Sequence, residues 1–341
     1  YLSAMVFVTG ATGLIGSYLL MELSKKGEKI RALKRKNSSI QSVKDLFEEF
    51  SMSSHFDQIE WVESSLDDVP KLTELLRNIT TIYHTAAHVG FDDRSKKEIQ
   101  KINIGGTENL VNLAISEGVK EFVYISSIAV LDNSPGETII TETSKWDPEK
   151  PHSEYAISKK KGEMNVWRGS QEGLNVLVVY PSVVIGSLDG TRASERIFKL
   201  AFQKNAFATD GKTGYVDVRD VAKRMVELVD LKQWNQGFIL NSGEKSFVDV
   251  FNYLRTKENL PKIQAVSEAK LKMAKFFSQF SKWFGGPYMS KASYQALTAN
   301  STYSNSKVQN LLSEPFISIE EALDFHSARY LAKINHNSKS N

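Results

Sequence analysis

The sequence predicts an α/β fold: a doubly wound parallel sheet with helices on both faces, followed by a smaller, mixed C-terminal domain. Three observations predict it. Strand-like and helix-like stretches alternate six times up to about residue 180, the pattern of linked βαβ units. The strand-like stretches, such as "MVFVT" and "LNVLVVY", are apolar along their whole length, as strands covered on both faces are. The first of them runs straight into a glycine-rich turn that opens a helix.

The elements follow in order. "MVFVT", from Met5, is a short strand rich in β-branched residues. "LIGSYLLMELSKKG" has helical periodicity and stops at Gly27. "KIRALK" is the second strand, "SVKDLFEEF" a helix and "IEWVE" the third strand. "VPKLTELLRN" carries a proline near a helix start. "TIYHTAA" is the fourth strand, and a long amphipathic helix is expected over residues 96–117. "EFVYISS" is the fifth strand, "YAISKKKGEMNVWRGS" a helix and "LNVLVVY" the sixth strand. Beyond Pro181 the order loosens. "VRDVAKRMVELVD" and "SFVDVFNYLRTKE" read as helices with the strand "GFILNS" between them. The apolar, basic, aromatic stretch 271–284 reads as a core or lid helix of the smaller domain rather than a membrane-surface helix.

This gives a first domain over residues 5–180, to which 214–241 return, and an interleaved substrate domain over 181–335. The polar residues 336–341 are expected to be disordered, and residues 1–4, which precede Met5, stand outside the fold. A formal net charge of +3 on 341 residues is too small to make nucleic acid or an anionic membrane the main partner. The absence of cysteine excludes disulfides and thiolate chemistry and fits a reducing, cytoplasmic setting. No apolar run approaches the roughly 20 residues of a membrane span.

The glycine turn is "TGATGLIG", with Gly10, Gly13 and Gly16 three apart. Glycines here allow a tight turn and let the backbone approach a pyrophosphate, while the helix start offers free N–H groups. A tight βα turn without a ligand is the plain alternative; the six-fold alternation behind the motif favours a dinucleotide. Further motifs follow in order: "HTAAHVGF" from His84, "NIGGT" from Asn103, "YISSIAV", "YAISK" from Tyr155, "YPSVVIG" and "YVDVRDVA". Together they resemble the extended short-chain dehydrogenase/reductase family, the NAD-dependent epimerase/dehydratase group, and within it the dihydroflavonol reductases and 3β-hydroxysteroid dehydrogenases. The resemblance covers residues 5–241 well and the last hundred loosely. It implies a Rossmann-type fold, a nicotinamide cofactor and a homodimer paired through the helices at 101–115 and 155–169.

Tyr155 and Lys159 lie four apart, on one face of a helix. A solvated helix surface is the plain reading. A nearby ammonium, however, lowers the pKa of a phenol, and such a tyrosine can pass a proton to or from a substrate oxygen. The resemblance assigns Tyr155 this role, gives Lys159 the nicotinamide ribose, and makes Ser127 the hydroxyl that holds the substrate. It also lets Asn103 support the lysine through water from a kinked helix. It places the cofactor on Thr9, Gly10, Thr12, Gly13, Leu14, Ile15 and Gly16, on Lys34, Arg35 and Ser38, on Ser65 and Leu66, on Ala86, Ala87 and His88, and on Tyr180, Pro181 and Val183. Taken alone, Ser127 is also a strand-end serine bonding its own backbone. His84 and His88 lie at a strand end without a third ligand, so no metal is expected; His88 and Phe91 are expected to face the nicotinamide or the substrate. Asp217 and Asp220 read as a turn and a helix cap.

The second strand ends in "KRKNSS", with no carboxylate until Asp45. A base in place of an acid there accommodates the 2′-phosphate of NADP; NAD is the alternative. Ser65 stands where the family often has the aspartate that holds adenine. Ile128 and Ala129 follow Ser127, where sugar dehydratases of the family carry an acid pair, so water elimination is not expected. An NADP-dependent carbonyl reductase or alcohol dehydrogenase acting on a small molecule is the reading. The alternatives are a nucleotide-sugar epimerase with tightly bound NAD, for which Arg192 and Arg196 are phosphate candidates, and a non-catalytic dinucleotide-binding redox sensor. Substrate specificity is assigned to loops 132–153 and 187–210.

Overall fold

A computed structural model describes residues 5–89, 96–133, 136–190, 195–283, 289–312 and 314–339. Seven parallel strands form the main sheet: β1 (Met5–Thr9), β2 (Lys29–Lys34), β3 (Glu60–Glu63), β4 (Ile79–His84), β5 (Glu121–Ile125), β6 (Asn175–Pro181) and, later in the chain, β9 (Gln236–Leu240), in the order β3-β2-β1-β4-β5-β6-β9. Between them run the helices α1 (Leu14–Lys25), α2 (Gln41–Glu49), α3 (Ser53–Phe56), α4 (Val69–Leu75), α5 (Lys96–Ile99), α6 (Thr107–Ser116) and α7 (Glu154–Gln171). The chain reverses direction between β1 and β4, which opens a crevice at the carboxyl ends of those strands, the ligand position of doubly wound sheets.

Burial on both faces is visible residue by residue. Val6, Val8, Val123 and Val179 join α1, α2 and α9 (Val218–Asp230) in one core. Their strand neighbours Phe7, Phe122, Tyr124 and Val178 join α4, α6 and α7 in another. The helix expected over 96–117 is present but not uniform. Between α5 and α6, residues Gln100–Gly106 wind as a π-helix, the local widening that the glycines after Asn103 permit.

The smaller domain holds β7 (Val183–Ile185), β8 (Lys212–Asp217) and β10 (Gly243–Ser246) as a mixed sheet, with α8 (Arg196–Ala201), α10 (Phe247–Lys257), α11 (Glu268–Trp283), α12 (Lys291–Thr298), α13 (Ser306–Gln309) and α14 (Ile319–Lys339). Its own core gathers Phe198, Tyr215, Phe251, Leu323 and Tyr330. Between β8 and β10 the chain returns to the main sheet as α9 and β9. Three expectations change. The helix at 271–284 starts three residues earlier; Leu271 is buried, Met273 and Phe276 are exposed, and Phe284 lies outside the described residues. Helix α14 is an addition, and it runs through 336–339, where disorder was expected; adding residues to a formed helix costs far less than starting one. Its signal was present: the Ser318 hydroxyl accepts from the backbone N–H of Glu321, a serine cap three residues before a glutamate. Residues 340 and 341 of the tail lie outside the described residues.

Candidate active site

The glycine turn is fixed by contact. Gly10 has φ +68°, and a Cβ there would stand 2.6 Å from the backbone nitrogen of Ala86. A Cβ on Gly16 would stand 2.2 Å from the carbonyl oxygen of Gly10. Gly13 is the N-cap of α1 and provides no side-chain cap, so the first N–H groups of the helix keep their capacity for an anion. A cleft of roughly 330 Å³ opens in front of this turn. It brings together Gly10, Thr12, Gly13, Lys34, Arg35, Ser38, Ser65, Leu66, Ala86, Ala87 and His88 of the expected set. Leu14 and Gly16 are buried in α1, and Ile15 is partly buried beside them. Thr9 is also buried, its hydroxyl 2.7 Å from Nδ1 of His84. Nε2 of His84 meets Thr107 at 2.9 Å, so this histidine is a strut between β1, β4 and α6. Burial, aided by the Lys159 charge, pushes His84 down to about 3 and keeps it neutral. Among the described residues no group of three His, Cys, Asp or Glu could hold a metal ion.

The basic turn after β2 lines a second hollow that adjoins the cleft. The carboxylate that the sequence seemed to lack arrives from the neighbouring strand: Glu63 pairs with Lys34 across the β2–β3 register and accepts from its Nζ at 2.7 Å. Arg35 and Lys36 are exposed and form no ion pair among the described residues. Near Ser65, Asp67 supplies a carboxylate two residues further on and bonds Lys101 at 2.8 Å across the cleft.

The catalytic candidates meet where β5, β6 and α7 converge. Ser127 leaves β5 in an extended conformation, and its hydroxyl accepts from the backbone N–H of Ala129 at 3.2 Å. The same hydroxyl lies close enough to the Tyr155 phenol to act on its ionisation. Burial pushes Tyr155 up to about 12, and the Ser127 hydroxyl opposes this. That corrects the expected lowering: desolvation outweighs the neighbours. Lys159 is 2 % exposed, with Nζ 4.1 Å from the centre of the Tyr124 ring. Burial pushes it down to about 7, and the carboxylate of Glu163 pulls the other way.

Asn103 sits inside the π-helix. Its Oδ1 accepts from the backbone N–H of His88 at 2.7 Å, and its Nδ2 donates to the carbonyl of His88 and to Oγ of Ser158. It thereby ties the loop after β4 to the residue before Lys159. Tyr180 and Pro181 end β6, both buried, and Val183 starts β7, partly exposed. Phe91 and Arg192 lie outside the described residues, and Arg196 begins α8 on an exposed face. Asp217 caps α9, accepting from the backbone N–H of Arg219 at 2.7 Å. Sequence reasoning missed Glu163, although its spacing, four after Lys159 and eight after Tyr155, puts it on the same helix face.

The model for the family described as "NAD dependent epimerase/dehydratase family" matches residues 6–241. Cinnamoyl-CoA reductase 1 of Petunia hybrida is 26% identical over 302 residues, covering 82% of this chain and 86% of the relative. UDP-glucose 4-epimerase of Vibrio cholerae is 26% identical over 250 residues, 70% of each chain. The crystal structure of yeast methylglyoxal/isovaleraldehyde reductase Gre2 complexed with NADPH shares the fold, with a TM-score of 0.74 at 21% identity over 97% of this chain and 99% of that one.

Proposed function

The chain belongs to the NAD dependent epimerase/dehydratase family, an NAD(P)-dependent oxidoreductase by that membership, and from this premise we propose that it is an NADP-dependent carbonyl reductase or alcohol dehydrogenase. One observation carries the reading: Tyr155 and Lys159 stand one turn apart on α7, with Lys159 buried against the Tyr124 ring and the Ser127 hydroxyl near enough to the Tyr155 phenol to oppose its rise. The dinucleotide, when bound, supplies or takes up the hydride. Ser127 holds the substrate oxygen, and Tyr155 gives its proton to that oxygen in reduction. Lys159 holds the nicotinamide ribose. Asn103 positions the two backbone segments between which the cofactor passes. A phenol held near 12 keeps its proton at neutral pH, which suits a donor in reduction better than a base in oxidation. Arg35 and Lys36, which form no ion pair among the described residues, suit the 2′-phosphate of NADP, and Leu66 and Asp67 line the adenine end. Ile128 and Ala129 supply neither acid nor base for water elimination. The protein acts as a homodimer on a small carbonyl or alcohol, in a reducing, cytoplasmic setting that its lack of cysteine fits.

Glu63 favours the second reading, an epimerase with tightly bound NAD, because it puts a carboxylate at the end of β3. The test is NADPH consumption over a panel of aliphatic and aromatic aldehydes and ketones. Stoichiometric consumption is expected, and Tyr155→Phe should lose most of it while binding NADPH within about twofold of wild type. Firmly bound NAD without net consumption selects the epimerase. Dinucleotide binding without turnover of any panel member selects a sensor.

A further inference from the structure

Glu163 is 2 % exposed, yet it is surrounded by donors from three elements. Its Oε2 accepts from the hydroxyl of Ser126, at the end of β5, at 2.7 Å. Its Oε1 accepts from the hydroxyl of Tyr180, at the end of β6, at 3.2 Å, and from Nε1 of Trp167 at 3.2 Å. Lys160 reaches the same oxygen at 3.3 Å from the solvent side. A buried carboxylate holding this many donors is costly to disturb. Ser126 is the neighbour of Ser127, and Tyr180 is the penultimate residue of β6.

We propose that Glu163 is the positioning residue of this active site: its carboxylate ties the ends of β5 and β6 to the catalytic helix and supplies the counter-charge that keeps Lys159 an ammonium. The proposal rests on the roles given above to Tyr155 and Lys159. Among the described residues, Lys159 faces the Tyr124 ring from β5, the neutral His84 from β4 and Glu163 along its own helix, with Tyr155 one turn before it on that helix. Glu163 is the anion in that set. Lys160, the next residue along the helix, is itself held by Glu163. A glutamine would fill the same space and keep a hydrogen-bonding oxygen, so a space-filling role and an electrostatic one separate on charge.

NADPH affinity, read by cofactor fluorescence from pH 6 to pH 9, tests the charge. In wild type, affinity should weaken on the alkaline side as Lys159 loses its proton. In Glu163→Gln that fall should come about one pH unit lower, so that binding is within about twofold of wild type at pH 6 and roughly tenfold weaker at pH 8. Profiles that superimpose overturn the proposal. Failure of the parent reading shows differently: wild type does not bind NADPH, or Tyr155→Phe keeps its turnover. Ser126→Ala leaves the charge in place and removes one tether. It should lower turnover of the carbonyl that wild type reduces fastest by about fivefold or more, without moving the alkaline midpoint. Should Glu163→Gln not fold, by circular dichroism, Ser126→Ala decides alone, and wild-type turnover in it overturns the assignment.

Discussion

Lys159 is buried at a cost that its charge makes dependent on pH. Its folded-state value is about 7 against 10.5 in the unfolded chain, so between those values the unfolded chain holds a proton that the folded protein lacks. Stability then rises with pH through that window, since it increases wherever the unfolded state binds more protons. Relative to Lys159→Met, the cofactor-free wild type should gain up to about 2 to 3 kcal/mol between pH 7 and pH 9. Urea unfolding of both proteins at each pH measures this, and a gap that stays constant refutes the depressed value. Arg35 gives the second residue-scale prediction. Lys34 is engaged by Glu63, whereas Arg35 and Lys36 form no ion pair among the described residues, and the planar guanidinium of Arg35 is the better fit to a 2′-phosphate. Arg35→Ala should weaken NADPH binding by about tenfold to a hundredfold, the worth of a charged hydrogen bond, and leave NADH nearly unchanged. Equal affinity of the wild type for both reduced cofactors, by titration, would count against the NADP assignment.

At the scale of elements, what could be read from the chain was what depends on local pattern. The strand–glycine–helix turn, the apolar strands and the Tyr155–Lys159 spacing are short-range signals, and the structure contains each of them. What escaped depends on neighbours distant in sequence. Glu63 reaches Lys34 only through strand register, and Glu163 becomes part of the site only because β5 and β6 deliver Ser126 and Tyr180 to it. The winding around Asn103 is intermediate: two glycines announced an irregular helix, but not a π-turn. That turn lies close against α7. A Cβ on Gly162 would stand 2.6 Å from the Asn103 carbonyl oxygen and 2.6 Å from the Tyr124 hydroxyl. Gly162→Ala must therefore push α7 away from the π-helix, moving Lys159 with it. The variant should lose about 1 to 3 kcal/mol of stability, as overpacked sites do, and its turnover should fall more than its NADPH affinity. Thermal unfolding together with turnover checks this; an unchanged melting temperature would mean that the two helices can separate freely.

Across the whole molecule, the chain leaves the main sheet and returns to it, so the core around α1 and α9 is completed by later residues such as Val216, Phe238 and Val308. The join is polar and buried. His326 of α14 meets the Ser187 hydroxyl at 3.0 Å and Asp217 at 3.3 Å, and the Tyr18 hydroxyl donates to the carbonyl of Ser187. No helix among the described residues is long and apolar enough to cross a membrane. The remaining question at this scale is what covers α6 and α7. Of the apolar side chains on these two helices, Leu110 is fully buried and turned into the core against the sheet, which removes it from any interface. Trp167 and Ile104 are partly buried. Met164 is 61% exposed, a large apolar side chain in water one residue after the buried Glu163. Burying a methionine of that exposure against a partner contributes on the order of 1 to 2 kcal/mol per copy, and a charge placed there would have to be desolvated instead. The wild type should therefore sediment as a dimer at micromolar concentration, and Met164→Glu should shift it toward monomer while keeping NADPH affinity, since Met164 is not among the residues that line the cleft. A wild-type protein of single-chain mass by analytical ultracentrifugation would rule the dimer out, and a dimer indifferent to Met164→Glu would place its interface on another face.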